Sequence, residues 1–301
     1  MLRKWFRHLT DQKKRKAAAQ AAAFLCFLFV FSFPAFADPA WQVIASARSE
    51  TGCEKELQET YLSGLEKTLQ ENGGVLHKRK YTEYSKAVLA VSSLGLDPRD
   101  IAGFDILAPL SDDDAVVKQG INGAIWALLA VDSRDYPCSA RERYIEEILR
   151  HELPGGGWNM EGTGPADPDI TAMALTALAR YKSDRQVMFP VMRAVSVLKR
   201  LQENDGGYAS CGTENAESDA QVIIALCSLG KDPSGKSFVK GGKSVVEALS
   251  AYELSDGSFM HVKEKPETDE IATDQGKLAL TALWRMENRL PPLFDFRDMK
   301  K

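Results

Sequence analysis

The chain has 301 residues, 44% hydrophobic and 27% charged. That balance fits a globular protein and excludes a disordered or fibrous one. Its 38 basic and 42 acidic side chains leave a net charge of −4; residues 38–301 alone hold 31 against 41, an acidic surface that makes nucleic acid a poor partner.

Residues 1–16 carry seven Lys/Arg against one acid, 17–33 form an uncharged apolar run, and Ala35-Phe36-Ala37 has the small-x-small form. This order is that of a signal peptide over 1–37, cleaved before Asp38. An uncleaved anchor is the competing reading, since the run is nearly long enough to span a bilayer. The expected location is secreted or extracytoplasmic, with membrane contact only through this segment if it is retained. Residues 38–51 read as a lead-in. Export permits disulfides among Cys53, Cys138, Cys211 and Cys227, in pairings the sequence leaves open. Cys227, inside VIIALCSLG, reads as a buried thiol.

Five segments then resemble one another: 82–95, 122–133, 169–181, 217–230 and 274–286. Each opens on a polar residue and continues as an almost charge-free run rich in Ala, Leu and Val. Alignment puts Asn122, Asp169, Glu217 and Asp274 at matching positions. Between them lie amphipathic segments of helical period: 53–70, 139–153, 189–204 and 242–254. Glycine-rich junctions join the two kinds, as in HELPGGGW, LQENDGGY and YELSDGSF. A helix apolar all round must be buried on all sides, and one helix pair cannot bury it alone. The pattern predicts an all-α fold, an α/α toroid or barrel of about five to six helix pairs over 52–288. A C-terminal tail, 289–301, follows.

At these residues the chain resembles the terpenoid-cyclase/protein-prenyltransferase toroid superfamily. Gln202-x-x-x-Gly206-x-Tyr208 is similar to the glutamine–tryptophan repeat of squalene cyclases, with Tyr for Trp. Asp169-Ile170-Thr171-Ala172-Met173-Ala174-Leu175 resembles the inner-helix motif of transcobalamin-like carriers. Lys118 through Tyr136 looks like bacterial secreted prenyltransferase-repeat proteins. The carrier resemblance implies a corrinoid ligand. Carriers cap it with a β-rich domain, which here a partner protein would have to supply.

The resemblance also implies three chemistries to test. Class II terpene cyclases protonate an alkene with the middle acid of Asp-x-Asp-Asp-Thr. Here the match is Asp167-Pro168-Asp169-Ile170-Thr171, with Ile170 in place of the third acid. A carboxylate at a helix start is favoured in its ionised form, and Asp169 fits an N-cap. Prenyltransferases hold zinc with Asp, Cys and His; Glu217-Ser218-Asp219-Ala220-Gln221 offers no Cys, and no metal site is expected. A thioester needs Gln three residues after Cys53, where Glu56 stands.

Binding remains. The expected site gathers Asn122, Asp169, Glu217, Asp274 and Gln275 at one rim, with Tyr84 on an inner helix. Trp158, Tyr208 and Phe259 sit on adjoining loops. Capping and inter-repeat packing are the competing roles for all of them. The expectation is a toroid that binds a bulky amphipathic small molecule or a partner protein without catalysis. The alternative is a class II cyclase-like or prenyltransferase-like enzyme acting on an isoprenoid, with Asp169 as acid.

Overall fold

The structure, a computed structural model, describes residues 39–299; the expected signal segment, 1–37, lies outside them. In chain order the helices are α1 (Pro39–Arg48), α2 (Lys55–Glu71), α3 (Tyr81–Ser93), α4 (Asp113–Val117), α5 (Ile121–Asp132) and α6 (Arg141–Arg150). They continue as α7 (Pro168–Leu178), α8 (Arg185–Leu201), α9 (Ala216–Ser228), α10 (Val245–Ser250) and α11 (Glu270–Glu287). Odd-numbered helices are inner and even-numbered ones outer. Each inner helix packs on the next, and α11 packs back on α1, which closes an all-α toroid. Two short antiparallel hairpins lie outside the ring, Ala209–Ser210 with Thr213–Glu214 and Val239–Lys240 with Lys243–Ser244.

The burial pattern follows composition. On α9 every residue from Ser218 to Cys227 is buried, as a mostly apolar helix between two neighbours must be; Asp219, the one acid among them, accepts from Tyr208 N–H. On α8 Val187, Val191, Ala194 and Leu198 face inward while Phe189 and Met192 are exposed. The stretch 38–51, expected as a lead-in, instead supplies the sixth inner helix, α1. It is bound to α11 where Thr281 Oγ1 donates to Ala45 O at 3.4 Å.

Helix starts are fixed by side chains that accept orphan amides. Asp112, Asp167, Asn215, Ser244 and Asp269 accept from the N–H groups of Ala115, Ile170, Ser218, Glu247 and Ala272. Each such cap contributes about 1 kcal/mol. A second device ties each junction to the helix after it. The amides of Trp158, Tyr208 and Phe259 donate to Thr171 Oγ1, Asp219 Oδ1 and Thr273 Oγ1 at 2.9, 2.7 and 2.9 Å. All three acceptors are the fourth residue of their helix. Gly206 precedes Tyr208 with φ +94°, and a Cβ there would meet Lys243 O at 2.7 Å, so only glycine fits.

Residues 289–299 cross the C-terminal ends of the inner helices. Phe296 N–H donates to Ser133 O at 2.7 Å, and Asp298 bridges buried Arg48 and Arg285, both at 2.7 Å. No disulfide joins Cys53, Cys138, Cys211 and Cys227; Cys227 is buried, which pushes its thiol pKa up. Among the described residues no helix is long and apolar enough to cross a membrane, and no cluster of three His, Cys, Asp or Glu is placed to hold a metal ion.

Candidate active site at the N-terminal rim

Every inner helix is followed by a returning outer segment, so the inner helices run parallel and their N-termini share one rim. On α5 only Asn122, Trp126 and Asp132 are not buried; Asn122 and Trp126, four residues apart, lie on one helix face. On α7 Asp169, Ile170 and Met173 are half-open, and on α9 so is Glu217. The ring of half-open Trp41 of α1 lies 5.1 Å from that of Trp126, tilted by 47°, although α3 stands between their helices in the ring. The two indoles therefore meet across the interior. Phe294, from the tail, presents its edge to Trp126 at 6.1 Å. The arrangement is a polar mouth over an aromatic floor, with Met173 and Trp126 one turn, roughly 6 Å, below Asp169 and Asn122.

The mouth is built around Asp169. The helix start lies two residues before it: Asp167 caps, Pro168 takes the first helical position, and Asp169 is second. Asp169 is therefore no cap, which corrects that expectation. Burial dominates its environment and lifts the carboxyl from 3.8 to about 6, with Asp167 and Glu217 adding like-charge repulsion. The Ser218 hydroxyl on α9 tempers the rise. Even so, neither Asp169 Oδ1 nor Ser218 Oγ, both shielded from water, has a hydrogen-bond partner of good geometry. The helix dipole does not hold Asp169 ionised as expected; desolvation outweighs it. Asp167, in contrast, accepts from Ile170 N–H at 3.0 Å and from Ser210 Oγ at 2.6 Å.

The other expected residues divide. Asn122 sits at the mouth, at the second position of α5, with a shielded and unpartnered Oδ1. Glu217 holds the same position on α9; burial raises its pKa while the bond to His261 opposes the rise. Gln275 accepts from Gln221 Nε2 at 2.9 Å across the seam between α9 and α11. Asp274, 4% exposed, supports the Lys277 ammonium, whose pKa burial lowers. Four residues leave the site. Trp158, Tyr208 and Phe259 are at most 1% exposed and pack beneath the junctions. Trp158 Nε1 also donates to Ile148 O at 2.7 Å. Tyr84 is buried and its hydroxyl accepts from Leu76 N–H at 3.0 Å. Sealed in this way, none of the four can touch a ligand.

Sequence reasoning missed three members: Trp41, assigned to the lead-in; Met173, hidden in an apolar run; and His261, on a loop outside the repeat. A separate groove of about 390 Å3 runs between α1, α2 and α3, and none of the expected residues lines it.

The fold is an all-α toroid with a polar mouth at the N-terminal ends of its inner helices. No protein-family model matches the chain. It superposes on ent-copalyl diphosphate synthase from Streptomyces platensis with a TM-score of 0.58 and 19% identity, over 81% of this chain and 49% of that one. It also superposes on a protein from Actinoplanes with a TM-score of 0.54 and 14% identity, over 90% and 99%. A 91-residue stretch is 36% identical to drimenyl diphosphate synthase of Streptomyces showdoensis, covering 29% of this chain and 17% of that protein. The chain thus spans about half of the synthase it superposes on. These similarities to synthases overturn the expectation of a binding toroid without catalysis. They lend nothing to the transcobalamin-like branch.

Proposed function

We propose that the chain acts as a terpenoid-cyclase-like enzyme, with Asp169 as the acid that starts cyclisation of a linear isoprenoid. The observation that carries this reading is the Asp169 carboxyl: shielded, unpartnered at Oδ1 and raised to about 6 above an aromatic floor. A carboxyl in that state is a general acid near neutral pH. Its O–H bond breaks as the terminal alkene's π pair forms a new C–H bond. The resulting tertiary cation is attacked by the next alkene, and loss of a C–H proton to a base ends the sequence. The faces of Trp41 and Trp126 can stabilise the cation. Asp167 is already committed to Ile170 N–H and Ser210, so of the two acids Asp169 is the one able to give a proton. The drimenyl and ent-copalyl diphosphate synthases are named for isoprenoid diphosphates, and the substrate class proposed here follows theirs.

The test is incubation of the purified protein with farnesyl or geranylgeranyl diphosphate, followed by phosphatase treatment and gas chromatography with mass detection. Cyclic products from wild type and none from Asp169→Asn are expected. Equal turnover by Asp169→Asn removes Asp169 from its role, and no cyclisation by wild type ends the enzyme reading.

A further inference from the structure

We propose that Phe294, carried by the C-terminal tail, is the floor that limits how long an isoprenoid chain the ring accepts. The inference rests on the cyclase reading and adds to it the length of the substrate.

Burial shows how far the bore is open. On α5, α7, α9 and α11 the second, sixth and ninth residues share one face, being four and then three apart. The second residues, Asn122, Asp169, Glu217 and Ile271, are half-open or exposed. Of the sixth residues, Trp126, Met173 and Gln275 are half-open. The ninth residues, Leu129, Thr176, Ile224 and Leu278, are all buried. The opening therefore ends above the ninth residues, which lie about 10 Å below the rim at 1.5 Å of rise per residue. The ring is a cup with a single mouth.

The tail closes the other end. It crosses from the ends of α11 and α1 to the end of α5, and α3 separates α1 from α5. Arg285 Nε donates to Pro291 O at 2.7 Å. Arg48 Nη2 donates to Pro292 O and Asp295 O at 3.3 and 2.7 Å, and Phe296 N–H to Ser133 O. The backbone is thus pinned on both sides of Phe294. Its ring is buried and stands perpendicular to that of Trp126. To sink away from a longer chain, this floor would have to break bonds to buried guanidinium groups, which is costly.

The acid sits at the rim, so the terminal alkene must come to the rim. The diphosphate keeps its water only at that same mouth, because burying its charge without partners is prohibitive. The chain between them must then hang into the cup as a loop, and the depth of the cup limits the loop. An additional isoprene unit is pressed down onto Phe294. Phe294→Ala removes a phenyl ring, somewhat more carbon than the one isoprene unit by which geranylgeranyl exceeds farnesyl.

The experiment titrates the full chain with farnesyl diphosphate and with geranylgeranyl diphosphate. Binding is read from tryptophan fluorescence, since Trp41 and Trp126 line the cup. Wild type is expected to bind the farnesyl compound more tightly. In Phe294→Ala the ratio of the geranylgeranyl to the farnesyl Kd should fall about tenfold to a hundredfold, the discrimination a hydrophobic pocket makes on a small apolar group. Phe294→Leu, which keeps an apolar side chain against Trp126, should fall between the two and reports even if the alanine variant does not fold. A ratio unmoved in the folded variants overturns the floor, because a merely structural role would weaken both ligands alike. A wild type that binds both diphosphates equally overturns it too. Binding needs no turnover: a wild type that selects the shorter chain but cyclises neither ends the enzyme reading and leaves the floor standing. A wild type that binds neither diphosphate overturns both.

Discussion

Asp169→Asn should make the protein more stable at neutral pH while abolishing the proposed cyclisation. The folded state holds the Asp169 proton up to about pH 6, whereas the unfolded chain releases it near 3.8. Between those values the folded state binds more protons, so raising the pH costs stability. The stabilising proton is fully present below the unfolded value and lost as pH rises through about 6. The difference of some two pKa units corresponds to about 3 kcal/mol at pH 7. Asparagine keeps the shape and does not titrate. In thermal melts from pH 4 to pH 8, the variant's Tm relative to wild type should rise by about 6 to 12 °C across that range. Other carboxyls titrate in both proteins and cancel in the difference. A Tm difference that is flat in pH would refute the claim that Asp169 is held protonated. A variant less stable than wild type at pH 7 would contradict a desolvated Asp169 carboxylate.

Three further outcomes follow from the scaffold. Gln202 is buried and its Nε2 donates to Gly206 O and Phe238 O at 2.8 and 2.9 Å. Gln202→Leu strands both carbonyls and should cost about 1 to 3 kcal/mol in urea unfolding. Gly276→Ala gains about 1 kcal/mol of helix propensity, but its Cβ would lie 2.8 Å from the Phe259 ring. Overpacking of about 1 to 3 kcal/mol should win, and a raised Tm would contradict that packing. Arg48→Ala removes one of two guanidiniums on Asp298 and should cost about 3 kcal/mol. Proteolysis should then cut first within 289–299, and unchanged protection of that segment would count against its anchoring role.

The ring was legible because its signal is compositional: charge-free runs recur, and such runs must shelter one another. Helix identity came through, but the register of the helix starts did not. Asp167-Pro168 is a cap followed by proline at the first helical position, yet similarity between repeats drew attention to Asp169. The same offset of two residues separates Asn122 and Glu217, for which capping was the competing role, from the cap positions Gly120 and Asn215. The junction aromatics misled for another reason. Their burial depends on a hydrogen bond from their amide to the fourth residue of the next helix, and that acceptor is Thr171, Asp219 or Thr273, so no single residue type marks it. Helix α1 escaped notice because no junction precedes it and its ten residues adjoin the apolar run. Its indole is therefore a part of the site that no repeat announced. Desolvation of Asp169 is a property of packing, and no spacing of letters reports it.

The bond from Arg285 to Arg48 O joins positions 237 residues apart. A circle has no intermediate that is whole. During synthesis α1 leaves the ribosome early and waits, one flank wet, until α11 exists to lie beside it. An open stack of repeats could grow one pair at a time and remain sound at every stage, whereas here the floor of the site exists only once Phe294 has also arrived. Shortening the chain ahead of α11 should thus leave a sticky, incomplete crescent rather than a smaller sound ring, because loop closure over that distance is what the last contacts must offset.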